Sequence, residues 1–157
     1  MLNSLPTETI NVFHFTADKD CCTKGDRIPA MWVYSSGNSH ISSAVGSNGN
    51  YYIDTKFELG QKNHIIIQQL KEGSRYFYEI KENGTTLVKV RNKNPQSYSK
   101  VKLYTSSPWM PSIADLAILS NFSVQGGPLP GNETVINVCA CPDGQLLVDN
   151  ACLKGNA

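Results

Sequence analysis

The sequence has no surplus of charge of either sign. Lys and Arg number 14 against 13 for Asp and Glu, a formal net charge of +1. Without a basic field the chain lacks the phosphate-neutralising excess that nucleic-acid binding needs, so DNA and RNA are excluded as expected partners. Charge is scarce altogether: 17% of residues carry it, against about 25% in a typical soluble domain. No apolar run reaches the roughly 18 residues of a membrane-spanning helix, so no membrane insertion is expected. The opening, Met1 to Thr9, reads MLNSLPTET. It has neither the basic head nor the apolar stretch of a secretion leader. Either the protein stays inside the cell or the chain is a piece of something longer. The five cysteines are too few for a scaffold held mainly by disulfides, and they are odd in number.

What fills the polar positions instead is Ser, Thr and Asn, at 15, 9 and 14 of 157 residues. Few charges with many hydroxyls and amides suit a β-rich extracellular protein better than a helical cytosolic one. The length is enough to bury roughly 68–70% of the unfolded surface, so a real core is possible. Three Asn-x-Ser/Thr sequons occur, at Asn83, Asn121 and Asn132. Asn83 sits in an expected hairpin tip and Asn132 in a Gly/Pro linker, where a glycan has room; Asn121 lies in a strand-like run.

Residues 10–125 alternate apolar and polar, with turn signals every 8–12 residues, the pattern of an all-β sandwich or barrel. Ile10 to Thr16 places Phe13 and Phe15 on one face. Ala30 to Tyr34 places Met31 and Val33 on one face and Trp32 and Tyr34 on the other. Ser39 to Val45 and Tyr51 to Phe57 flank Ser47-Asn48-Gly49-Asn50, where Asn48-Gly49 signals a type I′ hairpin. His64 to Leu70 turns at Gly73 into Arg75 to Lys81, with Tyr76, Tyr78 and Ile80 on one face. Glu82-Asn83-Gly84-Thr85 turns into Thr86 to Arg91. Val101 to Thr105 and Leu116 to Val124 complete the set. Residues 126–134, GGPLPGNET, form a linker, and residues 135–157 a cysteine-containing tail.

Three ordered motifs, GDRIPAMWV, HISSAVGSNGNYYIDTK and VKLYTSSPWMPS, resemble the laminin-G-like module of secreted invertebrate multidomain proteins. The resemblance spans residues 10–125. It implies an all-β, antiparallel two-sheet jelly-roll sandwich of the laminin-G/concanavalin-A-like kind over residues 1–125. It also implies a secreted or cell-surface location and a non-enzymatic role in adhesion or recognition, with a glycan or an extracellular protein as partner. Such modules begin with a further strand or two, here reduced to MLNSLPTET. An incomplete sandwich leaves an open sheet edge, which invites an oligomer or pairing with a missing segment; Thr134 to Val138 is one candidate for that strand. In the tail, Cys139-Ala140-Cys141-Pro142-Asp143-Gly144 followed by Cys152 resembles the end of an EGF-like or trypsin-inhibitor-like module. That resemblance implies a Cys141–Cys152 disulfide.

Laminin-G-like domains often hold calcium at the rim of the sandwich, and calcium prefers six to eight hard oxygens. Asp18, Asp20, Asn48 and Asn50 are the candidate ligands, which leaves a calcium-dependent lectin as the alternative reading. Asp26 pairs more naturally with Arg27 than with a metal. For ligand binding, Trp109, Tyr51 and Tyr52 stand out among the aromatics, which otherwise fill a sandwich core. His14, His40 and His64 read as strand residues. Cys21 and Cys22 can close a ring with each other or pair separately, one of them with Cys139. A glycoside hydrolase needs two facing carboxylates. Glu79 alone lies within an expected strand and has no acidic partner two residues away, so catalysis is not expected.

Overall fold

The computed structural model describes residues 1–98, 100–105, 109–110, 120–121, 123–126, 134–136, 146–148 and 151–153. The chain divides into two compact units, residues 1–118 and 119–157. Among the described residues the structure is all β, with no helix.

The first unit holds two antiparallel sheets. One has five strands: β1 (Ile10–Thr16), β2 (Ala30–Val33), β3 (Asn38–Val45), β4 (Asn48–Lys56) and β8 (Lys102–Tyr104). Their spatial order is β4-β3-β2-β1-β8, a four-strand meander with β8 added beside β1. The other is the meander β5 (Ile65–Glu72), β6 (Arg75–Glu82) and β7 (Thr85–Asn92). Successive side chains point to opposite faces, and the inner faces of both sheets share one core. Ile10, Phe13, Met31, Val33 and Ile41 come from the larger sheet, Tyr78 and Ile80 from the smaller. Ile41 and Ile80 are fully buried. Polar contacts tie the sheets at their margin: the Thr55 hydroxyl donates to Glu82 at 3.0 Å, and the Gly46 N–H donates to the Asn92 side chain at 2.9 Å.

The alternation expected along β1, β2 and β6 is present, with one insertion. The β1–β2 register slips between Asn11 and Phe13, a bulge that puts Asn11 on the outer face and Phe13 on the inner. The buried Asn11 amide donates to the carbonyls of Phe13 and Met31, at 3.3 and 3.0 Å, so the disturbed ladder keeps its acceptors satisfied. The opening is less of a free lead than it reads. Leu2 is buried in the core, and its carbonyl accepts from the Gly60 N–H at 2.8 Å.

Two turns behave differently from each other. Asn83 and Gly84 both adopt positive φ, 49° and 84°, between β6 and β7, as a type I′ hairpin requires. Asn48-Gly49, expected to turn between β3 and β4, does not. Val45 pairs with Asn48, so the turn is Gly46-Ser47, with Gly46 at φ 63°. Gly49 lies inside β4. A Cβ there would meet the Cys22 carbonyl oxygen at 2.8 Å and the Thr23 carbonyl carbon at 3.0 Å. This glycine serves close backbone approach rather than chain reversal.

The second unit contains two short hairpins. β9 (Val124–Gly126) pairs with β10 (Thr134–Ile136), and β11 (Leu146–Val148) with β12 (Ala151–Leu153). Val124, read as the end of the last sandwich strand, therefore pairs with Ile136 of the tail. Within Thr134 to Val138, a candidate for a further sandwich strand, Thr134–Ile136 pairs with β9, and Asn137 and Val138 lie outside the described residues.

Candidate functional site

The outward face of the five-stranded sheet carries the residues with the most chemistry. Register sets which side chains meet there: Trp32 lies opposite His40, His40 opposite Asp54, Ser42 opposite Tyr52, and His14 opposite Tyr104. The result is one row of rings running across the strands. Trp109 packs on Tyr104 and His14, with centroids 5.6 and 5.4 Å apart. His14 meets Trp32 at 5.6 Å, Trp32 meets His40 at 5.7 Å, and His40 stacks on Tyr52 at 4.6 Å. Tyr34 joins at 5.8 Å from His40. The row crosses all five strands, about 19 Å at the usual strand spacing. Its middle is closed and its ends are open: His14 and Trp32 are buried, whereas Trp109 is 42% and Tyr52 54% exposed.

A loop from above holds the middle of the row shut. Residues 17–29 join β1 to β2, and backbone pairing continues into it through Ile28 N–H to Phe15 and Ala17 N–H to Gly25. Cys21 and Cys22 lie within this loop and are joined to each other, rather than one of them reaching a distant partner such as Cys139, which lies outside the described residues. Asp26 is fully buried; one carboxylate oxygen accepts from the Thr23 N–H and hydroxyl at 2.8 and 3.0 Å.

Arg27 does not pair with Asp26 as expected. Its guanidinium lies over the Trp32 ring, 4.4 Å from the centroid. It donates to the Asn50 side-chain oxygen at 2.7 Å and to the Asp20 carbonyl at 3.1 Å, and it faces the Asp20 carboxylate at 3.8 Å. Burial lowers the Arg27 pKa from its ordinary value, opposed by Asp20 and Asp26.

Of the candidate calcium ligands, Asp20 and Asn50 meet at this cation. Asn50 Oδ1 accepts from Arg27 and from the Ser42 hydroxyl, the latter at 2.6 Å. Asn48 Oδ1 accepts the Asn50 N–H at 2.8 Å. The Asp18 N–H donates to the Thr16 hydroxyl at 3.0 Å. A guanidinium thus stands between Asp20 and Asn50, where a calcium ion would have to displace a like charge. Among the described residues no group of three or more His, Cys, Asp or Glu is placed to share a metal ion.

The two histidines of the row differ in their hydrogen-bond partners. His14 Nε2 donates to the Asp26 carbonyl at 2.6 Å, which leaves Nδ1 as the bare nitrogen of a neutral ring. Nδ1 has no hydrogen bond and lies 3.9 Å from the Asp20 carboxylate. Burial nevertheless holds the His14 pKa below its ordinary 6.5, against the upward pull of the Asp26 carbonyl and Asp20. That contact is therefore no ion pair at neutral pH. His40 lies nearer the surface and donates from Nδ1 to the Asp54 carboxylate at 2.8 Å. Beside it, burial and then the Asp54 charge push the Tyr34 phenol up.

Tyr51 and Tyr52 separate onto opposite faces, as neighbours on a strand must. Tyr51 turns inward, packs on the core and meets Tyr78 at 6.1 Å. It is not available as a surface ligand contact. Tyr52 and Trp109 lie outward at opposite ends of the row. The remaining site candidates divide by location. Asn83 is exposed at its hairpin tip, its side-chain oxygen accepting from the His64 N–H at 2.9 Å. Cys141 and Asn132 lie outside the described residues, and Cys152 falls in β12.

Glu79 occupies the outer face of the other sheet. Its neighbours on the sheet cover it: Gln68 donates at 2.6 Å and Lys81 lies 3.5 Å away. The Gln68 hydrogen bond, with the lysines adding to it, holds its pKa below the ordinary carboxyl value.

No known protein family, curated protein or solved structure matches this chain.

Proposed function

We propose that the chain is a non-enzymatic binding module of a secreted or cell-surface protein, with a laminin-G-like jelly roll as its sandwich and a partial cysteine-rich module as its tail. Its partner is a glycan or an extracellular protein, engaged on the outer face of the five-stranded sheet. The observation that carries this reading is the ring row with exposed ends at Tyr52 and Trp109. Tyr52 and Trp109 pack on the row yet keep 54% and 42% of their surface exposed, and large, partly exposed aromatic rings are what binding surfaces use.

Two features weigh against the other readings. The Asp20–Asn50 pair is occupied by Arg27, which disfavours a calcium-dependent lectin. Glu79 is charged and held by Gln68 and Lys81, with none of the raised pKa that a glycosidase acid requires. The exposed Asn83 sequon fits a secreted chain.

The test is binding of the full chain, and of its Tyr52→Ala and Trp109→Ala variants, to a glycan array and a panel of extracellular proteins. Loss of a specific partner in both variants supports the reading. A partner held equally well by both variants would place the binding surface elsewhere.

A further inference from the structure

We infer that the free edge of β5 joins the same edge of a second copy of this chain, antiparallel about a two-fold axis at Gln68. The two three-stranded sheets then become one continuous sheet. The inference concerns the smaller sheet and stands apart from the ligand proposed for the larger one.

Local geometry fixes which backbone groups are open. β5 pairs with β6 on one side, and among the described residues no strand lies on the other. The His64 carbonyl accepts the Asn83 N–H at 2.9 Å, in the same register that sets Glu72 opposite Arg75 around the Gly73-Ser74 turn. Facing pairs in an antiparallel ladder alternate between hydrogen-bonded and not. Ile66, Gln68, Leu70 and Glu72 thus turn N–H and C=O toward β6, and Ile65, Ile67, Gln69 and Lys71 turn theirs to the open side.

Composition singles out this edge. β5 holds no charge and no proline from Ile65 to Leu70, and its isoleucines and Leu70 are only half-buried. The other edges of the two sheets are guarded as edge strands usually are. β7 carries Lys89 and Arg91, β4 carries Asp54 and Lys56, and β8 is 3 residues long and carries Lys102.

Self-complementarity names the occupant. A two-fold contact sets one residue against a second and the second against the first. With the axis perpendicular to the sheet at Gln68, Ile66 falls opposite Leu70 of the second copy on the outer face. On the open backbone, Ile65 meets Lys71 and Ile67 meets Gln69, so every open N–H finds an open C=O. Gln68 meets its own counterpart. Its Nε2 donates to Glu79 at 2.6 Å, which leaves its oxygen to accept the second N–H of the other amide. The charges of β5, Lys71 and Glu72, fall opposite Ile65 and His64, so no like charges oppose each other. An axis at Gln69 would instead set Ile66 against Glu72 and Ile67 against Lys71. A foreign peptide needs only the open backbone groups; the matched side chains favour a second copy.

The test is sedimentation velocity of the whole chain, its free thiols alkylated, from about 1 to 500 µM, with amide hydrogen exchange at both ends of that range. The expected result is a reversible monomer–dimer equilibrium in the upper part of the range, since one strand pair makes a small interface. The N–H groups of Ile65, Ile67, Gln69 and Lys71 should gain protection about tenfold with concentration, while those of Ile66 and Gln68 stay protected throughout. Two double variants test the register: Ile66→Lys with Leu70→Lys, and Ile66→Glu with Leu70→Glu. Each alone should dimerise about tenfold or more weakly, and their mixture should restore the dimer. Circular dichroism checks the fold of each variant, and the exchange experiment on the unaltered chain decides the matter if a variant does not fold. A chain that stays monomeric across the range overturns the proposal and leaves the edge to a foreign peptide. A dimer in which the four open N–H groups exchange as fast as in the monomer overturns it too, as does growth past the dimer. Dimerisation undiminished in both double variants overturns the axis at Gln68.

Discussion

Arg27 is the residue on which the loop above the sheet depends, and replacing it tests the account most directly. Four interactions are lost together in Arg27→Met. The cation over Trp32 at 4.4 Å is worth about 1 kcal/mol in a partly desolvated setting. The hydrogen bonds to Asn50 at 2.7 Å and to the Asp20 carbonyl at 3.1 Å contribute about 1 kcal/mol each. The ion pair with Asp20, whose side chain is 38% exposed, adds at most a few tenths of a kcal/mol. The expected loss is about 3 kcal/mol of unfolding free energy. Arg27→Lys keeps the charge but not the flat fork, so it should recover less than half of that loss. Urea denaturation followed by tryptophan fluorescence measures both variants. The Trp32 signal should also become more accessible to a soluble quencher in the native state. If Arg27→Lys is as stable as the original chain within about 0.5 kcal/mol, then charge alone matters there, and the stacked, forked geometry has been given too much weight.

Ile80, fully buried between the sheets, should cost about 2–5 kcal/mol on truncation to alanine; one shared core predicts that both sheets unfold together, seen as a single transition by circular dichroism and fluorescence. Gly49→Ala sets a methyl group against the backbone of Cys22 and Thr23, and should cost about 1–3 kcal/mol by overpacking. Chemical denaturation measures the loss, and an unchanged midpoint would remove the close approach as the reason for glycine. His14 titrates below its ordinary 6.5 because it is buried, facing Asp20, Asp26 and Arg27. The unfolded chain therefore binds its proton first as pH falls. The stability from neutral His14 is complete above pH 6.5 and declines below it, at up to about 1.4 kcal/mol per pH unit until the folded group also titrates. His14→Gln should show a smaller drop between neutral and mildly acidic pH in thermal melts, and an equal drop would assign the pH dependence to other groups.

Much of the sheet arrangement was legible from residue order alone. Strand alternation depends only on a backbone period of two, so Met31 against Trp32, and Tyr78 with Ile80, could be assigned to faces without tertiary information. The Asn83-Gly84 hairpin was equally local, because positive φ at two successive residues is a property of those residues. Asn48-Gly49 carried the same local signal and misled. Gly46-Ser47 makes the turn, and Gly49 is needed for the loop that packs against it, a contact formed between residues far apart in sequence. The candidate site shows the same divide. Tyr52 and Trp109 stood out as aromatics, but Arg27, His14 and His40 did not, since nothing near them in sequence marks what they touch.

By itself, then, the sequence determined an all-β chain, the facing of its strands, and the poverty of free charge that argues against nucleic acid. Only the tertiary structure decided that Arg27 stands between Asp20 and Asn50, that Tyr51 turns inward while Tyr52 turns out, and that rings from five strands line up in one row. The physical reason is range. Face and turn follow from neighbouring torsions, whereas a site is assembled by register between strands and by a loop folding back, and these are set by packing across the whole sheet.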